Sequence, residues 1–267
     1  MRADQTGKED SYREIFRVLF LIVTPIIFSS FIYNINGYIN GVMYSELAGR
    51  QGVNSEVVST LYGEYSVYFL TIINIPLTLA GAAPTSMIPE VSALYAQHRR
   101  KAARRKIDEA TQLSMFISIP AAVGLAVLAY PITRLLFPNT NGTAGTLLLI
   151  GAVTIIFNTN SNVSNGVLQG IGKANLPMWN AAIALVINVG LLVALLQLTS
   201  LGIYAVLVAT IVYSIVICIL NDISMKKYIH YKNHGELPIS VRFWHLFRWE
   251  WQQVGFIIFW SLLPDLI

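Results

Sequence analysis

The chain is a succession of long apolar runs separated by short polar breaks. There are 28 uncharged residues between Arg17 and Glu46, 25 between Glu64 and Glu90, and 24 between Glu109 and Arg134. Arg134 to Lys173 leaves 38, and Lys173 to Asp222 leaves 48. A helix needs about 20 residues to cross the hydrocarbon core, so each of the first three runs holds one crossing. As one straight helix the last run would be about 72 Å long, more than twice the thickness of the core, so it must fold back. Gln197, Thr199, Ser200 and Gly202 supply the turn. The pattern predicts six transmembrane helices, over roughly 16–44, 62–94, 111–137, 144–168, 176–198 and 201–225. These runs are continuously apolar and do not alternate residue by residue, which argues against a β-barrel.

Composition agrees with the pattern. Hydrophobic residues make up 55% of the 267 and charged residues only 12%, against about 25% charged in a soluble domain. Too few charges are present to cover a water-soluble body of this size, and a soluble enzyme is excluded as the working class. The net charge of +4 would suggest nucleic acid in a soluble protein. Here its distribution explains it better. Sixteen of the eighteen Lys and Arg residues fall on one face of a six-span topology, in the N-terminal segment, the 95–110 loop, the 169–175 loop and the C-terminal tail. Only Arg50 and Arg134 fall on the other. Basic residues collect on the cytoplasmic side, so both termini are expected in the cytoplasm of a cell-membrane protein. The expected organisation is a cytoplasmic segment over 1–15, a six-helix lobe over 16–225 and a tail over 226–267. Four of the five tryptophans lie in the last 24 residues. Phe243, Trp244, Phe247, Trp251, Val254 and Ile258 recur there at helical spacing, as in an interfacial amphipathic helix. The polar, acid-containing start does not read as a cleavable signal peptide.

No catalytic constellation is apparent. Cys218 stands alone, so there is no disulfide framework. His98, His230, His234 and His245 have no cysteine or acidic partners at ligand spacing, and no metal or cofactor is expected. Gly166, Gly170 and Gly172 follow no strand, so they are not a dinucleotide loop. The Asn141-Gly-Thr143 sequon carries meaning only in a eukaryotic source, and a bacterial one is expected. The chemistry that does appear is polar and helix-breaking residues inside apolar spans. Pro76, Pro84 and Pro89 with Gly81 mark the second span as kinked, either for packing or as a hinge. Asn34, Asn36 and Asn40 occupy the first span. Asn158, Asn162 and Asn165 share one face of the fourth. Amides in hydrocarbon need partners, so these faces meet other helices or a wet cavity. No carboxylate must sit at the bilayer centre, which weakens a cation-coupled antiporter with a buried acidic site.

Several stretches, in this order and spacing, resemble one family. Leu61-Tyr62-Gly63-Glu64-Tyr65-Ser66 followed by Ile73-Asn74-Ile75-Pro76-Leu77 resembles the eighth span of bacterial exporters of polysaccharides and lipid-linked precursors. So does Ser86-Met87-Ile88-Pro89-Glu90-Val91-Ser92 before a basic loop. Ile119-Pro120-Ala121-Ala122-Val123-Gly124-Leu125, then Tyr130-Pro131-Ile132 and Leu135-Leu136-Phe137-Pro138, is similar to the ninth. Leu168-Gln169-Gly170-Ile171-Gly172-Lys173 with Pro177 looks like the link between the tenth and eleventh. The group is the stage V sporulation protein B type, related to MurJ lipid II flippases and more distantly to MATE exporters, and the resemblance covers about 12–228. It implies an all-helical lobe, one of two around a central cavity, that flips a lipid-linked oligosaccharide or peptidoglycan precursor for cell-wall synthesis by alternating access.

Only the second lobe is matched, with the polar start in the place of the interlobe linker. Helices thirteen and fourteen of the MurJ-like branch are not recognisable in the tail. The family's mostly positive substrate contacts lie largely in the first lobe, so none is transferred. A second lobe, from a partner chain or a homodimer, is the implied partner, beside lipid-linked substrate and membrane lipids. The cavity candidates are Asn34, Asn36, Glu64, Asn74, Asn158 and Asn162, and the hinge candidates Pro76, Gly81, Pro84 and Pro89. The rival readings are a cation-coupled multidrug antiporter of the same fold and a non-transporting scaffold for envelope synthesis or an inactive truncated fragment.

Overall fold

The computed structural model describes residues 12–138 and 142–229, and the described residues contain helices and no strand. The helices are α1 (Tyr12–Arg50), α2 (Ser55–Gly63), a π-helical segment (Glu64–Phe69), α3 (Leu70–Ala96), α4 (Arg100–Val127), α5 (Ala129–Leu136), α6 (Thr143–Gly151), α7 (Thr154–Gly170), α8 (Asn175–Leu198) and α9 (Ile203–Ile229). Ser55–Ala96 runs as one 42-residue span through the π-helical segment. Among the described residues five spans are long and apolar enough to cross a membrane, and the bent pair α6–α7, taken as one span, is the sixth. The expected six-span, all-helical lobe is the observed one.

The corners use one device. At the end of α1, Gly52 takes a left-handed φ of 81° and the Val53 amide donates five residues back to the Ala48 carbonyl at 3.1 Å. The same bond recurs as Arg99 to Leu94 after α3 and Lys173 to Leu168 after α7. Each satisfies a carbonyl that the helix end leaves open. His98 fills the left-handed position of the α3–α4 corner with φ 59°, where glycine is the usual occupant. The expected turn before the last span is present, with α8 ending at Leu198, Gly202 at φ 55° and α9 starting at Ile203.

Packing sorts the apolar residues by surroundings. Leu147, Leu148, Ile155, Leu192, Ala205, Val206 and Leu207 are completely or almost completely buried, with Tyr44, Tyr65 and Phe69 among them. α3 packs on α4 and α7, and α1 packs on α8. Close approaches rest on missing side chains. A Cβ on Gly41 would lie 2.7 Å from Tyr62 Cζ, and one on Gly166 would overlap Ile88 Cδ1. Phe16, Phe20, Ile27, Phe31, Val186 and Ile219 remain exposed, as expected for side chains that meet lipid.

Two details differ from the sequence pattern. The fourth span, expected as one helix over 144–168, bends by 47° between α6 and α7. Around the bend Ile155 donates to Ala152 and Ile156 to Val153, three residues back, so the chain tightens locally. The helix that carries the third span starts at Arg100, eleven residues before the expected crossing, and is interrupted at Leu128 before α5. The described residues up to Met225 belong to one compact unit. The amphipathic tail helix, His230, His234, His245, Asn141 and most of the 1–15 segment lie outside the described residues.

Candidate functional site

Polar side chains in this lobe divide into an interior seam and an exposed stripe. The seam centres on Asn221 of α9. Its Nδ2 donates to Ser161 Oγ of α7 at 3.0 Å and to Tyr33 Oη of α1 at 3.3 Å. Its Oδ1 accepts from Asn180 Nδ2 of α8 at 2.9 Å, and the same Asn180 nitrogen reaches Ser224 Oγ at 3.0 Å. One amide thus ties four helices together. Interhelical hydrogen bonds inside membranes contribute about 0.6–2 kcal/mol each. Tyr33 adds an edge-on contact with Tyr213, ring centroids 6.5 Å apart.

The seam continues along α1, where Ser29, Tyr33, Asn36, Asn40 and Tyr44 recur at spacings of three and four and share a face. Asn36 and Asn40 are buried, and Asn188 of α8 is fully so. Among the described residues, neither polar atom of Asn40 or Asn188, nor Oδ1 of Asn36, has a hydrogen-bond partner. Glu64 is equally internal, 4% exposed at the start of the π-helical segment, with Oε2 unpartnered. Around it runs an aromatic ladder. Tyr44 stacks near Tyr62 at 6.2 Å, Tyr62 near Tyr65 at 5.7 Å, and Tyr65 on Phe69 at 5.4 Å. Tyr62 donates to the Gly37 carbonyl at 2.7 Å, and the Tyr65 and Thr210 hydroxyls meet at 2.7 Å.

The exposed stripe lies on α3. Thr71, Asn74, Thr78 and Thr85, all exposed, are offset by three, seven and fourteen residues from the first, one face of a helix. Ala82 fills the gap in the row. Thr78 and Thr85 fold their hydroxyls back onto the Ile75 and Gly81 carbonyls, both at 2.8 Å. The Asn74 amide is exposed within a span whose other polar residues near it are threonines. Lipid offers an amide no hydrogen bond, so such a face requires water, ligand or protein against it.

The sequence-derived candidates therefore separate. Asn34, Asn74 and Asn162 are exposed, Asn36 and Glu64 are interior, and Asn158 is half-buried. Asn34 donates to the Ser30 carbonyl of its own helix at 2.7 Å. Pro76 and Pro84 are buried, Gly81 is half-buried and Pro89 exposed, all within an α3 that stays helical from Leu70 to Ala96. Asn180 and Asn221, which carry the seam, were not singled out in the sequence. Asn180 and Asn188, two turns apart on one face of an otherwise apolar helix, were the available signal.

At one end of α3 and α4 the charges pair. Lys106 Nζ lies 3.5 Å from Glu90 and 3.2 Å from Glu109, and Arg105 Nε lies 3.2 Å from Glu109. The Glu109 hydrogen bond and charge raise the Lys106 amine above its ordinary value, and Lys106 in turn lowers the Glu109 carboxyl. Among the described residues no three His, Cys, Asp or Glu gather as metal ligands.

Residues 9–246 match a family described as "Lipid II flippase MurJ". The chain is 27% identical over 197 residues to the lipid II flippase MurJ of Bacillus subtilis, covering 70% of this chain and 35% of that protein. It is 21% identical over 230 residues to stage V sporulation protein B of the same organism, covering 86% and 42%. Among solved structures it superposes on a MATE protein in its straight conformation with a TM-score of 0.68 at 17% identity, covering 83% of this chain and 48% of the other. An inward-facing multidrug resistance MATE transporter of the MOP superfamily gives 0.65 at 16% identity. The chain spans less than half the length of these relatives.

Proposed function

The chain belongs to the MurJ lipid II flippase family, and on that premise we propose that it is the C-terminal-type lobe of a flippase for a lipid-linked oligosaccharide or peptidoglycan precursor. The family match and the apolar helices make it a multi-pass membrane protein. The exposed polar stripe of α3, Thr71–Asn74–Thr78–Thr85, is the observation that carries the rest of the reading. A stripe of hydroxyls and an amide suits a sugar–phosphate headgroup, while the lipid tail stays in the bilayer beside apolar faces such as that bearing Val186. The stripe lies on one lobe, so a second lobe is needed to complete the cavity. Both termini lie in the cytoplasm, in keeping with the placement of sixteen of eighteen basic residues. The protein moves its substrate and does not transform it.

The reaction is transfer of the headgroup between faces by alternating access, with the seam around Asn221 keeping α1, α7, α8 and α9 together as a rigid wall. The test is exposure of precursor headgroup at the outer face of cells, read with an added enzyme that modifies only exposed headgroup. Depleting the chain should lower exposure, and resupplying it should restore it, with cationic dye efflux unchanged. Loss of dye efflux with unchanged precursor exposure would move the protein to the antiporter reading. Loss of neither would leave the scaffold or inactive-fragment reading.

A further inference from the structure

We propose that the π-helical segment Glu64–Phe69 is a rotary switch: by relaxing to α geometry it changes which side of Leu70–Ile75 faces the translocation cavity. The proposal rests on the cavity reading of the α3 stripe.

The segment has the geometry for it. The Leu70 amide donates to the Tyr65 carbonyl, five residues back, immediately before the stripe begins. A π turn holds one residue more than an α turn. Tightening it therefore twists everything downstream by about 100° and advances it by about 1.5 Å. Both flanks are anchored. Upstream, Tyr62 is bonded to Gly37 O and the Asn54 side chain caps α2. Downstream, Ile88 and Ser92 fit against Gly166 and Gly170 of α7. The twist must be absorbed between them, and Pro76 is placed to absorb it. Its missing N–H leaves the Ile72 carbonyl without an intrahelical partner, so the helix is torsionally weak at that point. The rotor is the short stretch Leu70–Ile75.

The sequence around the rotor gives two distinct surfaces. In the present state Thr71, Asn74 and Ile75 are exposed, while Ile72 and Ile73 are 3% exposed. After the twist each residue occupies the angular place of its successor. Thr71 then takes the buried place of Ile72, and Ile73 takes the exposed place of Asn74. Leu70 takes the place of Thr71, Asn74 moves to the exposed place of Ile75, and Ile72 stays buried in the place of Ile73. Thr71 leaves the surface, and Leu70 and Ile73 come to flank Asn74. Ile75 moves to the buried place of Pro76, so the headgroup-facing surface exchanges a hydroxyl for one net aliphatic side chain, which weakens its hold on a polar ligand.

Opposing contacts hold the switch. The Tyr65–Thr210 hydrogen bond and the fit of Phe69 against Gly151 favour the π state. The unpartnered Glu64 Oε2, buried at the head of the segment, works against it. A π turn, itself less favourable than an α turn, is retained where function uses it.

Single cysteines at positions 71, 72, 73 and 74, each in a Cys218→Ala chain, test this in native membranes with a charged, water-borne thiol reagent. The switch predicts that Asn74→Cys reacts fastest and Thr71→Cys next. It also predicts that Ile73→Cys reacts severalfold faster than Ile72→Cys, although the two positions are equally buried. Deleting Val67, which removes the extra residue of the π turn, leaves an α turn with no twist to release and so locks the present face: Asn74→Cys and Thr71→Cys should stay reactive while Ile73→Cys falls to the slow rate of Ile72→Cys. Equal protection of Ile73→Cys and Ile72→Cys in the undeleted chain, with Asn74→Cys reactive, would overturn the switch and leave the cavity reading intact. That comparison decides alone if the deletion does not assemble. An inert Asn74→Cys would overturn the cavity reading itself.

Discussion

Gly151 at the end of α6 and Phe69 at the end of the π-helical segment are fitted to each other. A Cβ on Gly151 would overlap the Phe69 ring and come within 2.9 Å of Leu207 Cδ1. The bend between α6 and α7 and the irregular turn before α3 therefore meet at one point, and the aromatic ladder extends that contact to Tyr44 of α1. Gly151→Ala should destabilise the lobe by about 1–3 kcal/mol, the usual effect of overpacking a filled site. Gly190→Ala in α8 is the control. Its added methyl meets nothing within 4 Å, so it should be neutral or gain up to about 1 kcal/mol from helix propensity. Thermal unfolding of the purified protein in detergent measures both.

Asn221 and Asn188 predict opposite outcomes for the same substitution. Asn221→Leu removes bonds to Ser161, Tyr33 and Asn180. It leaves buried polar partners behind and should cost about 1–3 kcal/mol. Asn188→Leu removes a fully buried amide with no hydrogen-bond partner among the described residues, and it should be neutral or stabilising. The pair, compared in one unfolding assay, separates bonded from unbonded amides in the seam.

The α3–α4 corner should respond to pH in a defined direction. Glu109 titrates below its ordinary value of 4.5, so its stabilising contribution is complete above that value and is lost as pH falls through the lowered one. Lys106 titrates above 10.5; its contribution is present at neutral pH and is lost as pH rises through the raised value. The groups are solvent-exposed, so the effect is small and salt-sensitive. Glu109→Gln should make the acid-side slope of the melting temperature slightly shallower while leaving the neutral value almost unchanged.

Much of this architecture is readable from charge spacing, because long uncharged runs must be buried in lipid whatever their neighbours. The turn at 199–202 follows from the same argument. The bend at Ala152 does not, since Gly151-Ala152-Val153 contains no proline and sits within an apolar run. α3 is helical from Leu70 to Ala96 although it contains Pro76, Pro84 and Pro89, and it packs on α4 and α7. The π-helical segment has no sequence marker of its own; it coincides with the Tyr65–Thr210 hydrogen bond and the fit of Phe69 against Gly151. The candidate asparagines were visible as polar residues in apolar spans, but which face they occupy depends on helix packing. That is why Asn34 and Asn36, two residues apart, end up outside and inside.

Substituting the stripe should weaken transport without weakening the fold. Asn74→Leu and Thr78→Val replace exposed polar groups that hold no other element in place. Their stability should change by no more than about 0.5 kcal/mol. Precursor exposure at the outer face should fall by about tenfold for Asn74→Leu, the loss of roughly one well-formed polar contact. Ile219→Leu, on an exposed apolar face of α9, should leave transport unchanged.

Photocrosslinking from position 74 asks whether the α3 stripe meets the precursor headgroup. A photoreactive side chain in place of Asn74, and in a second chain in place of the exposed Val186, is activated in membranes that contain radiolabelled lipid-linked precursor. Position 74 should capture the precursor through its headgroup, while position 186 captures only bulk lipid. Equal labelling of the precursor from both positions, or capture of nothing but bulk lipid at position 74, would contradict it.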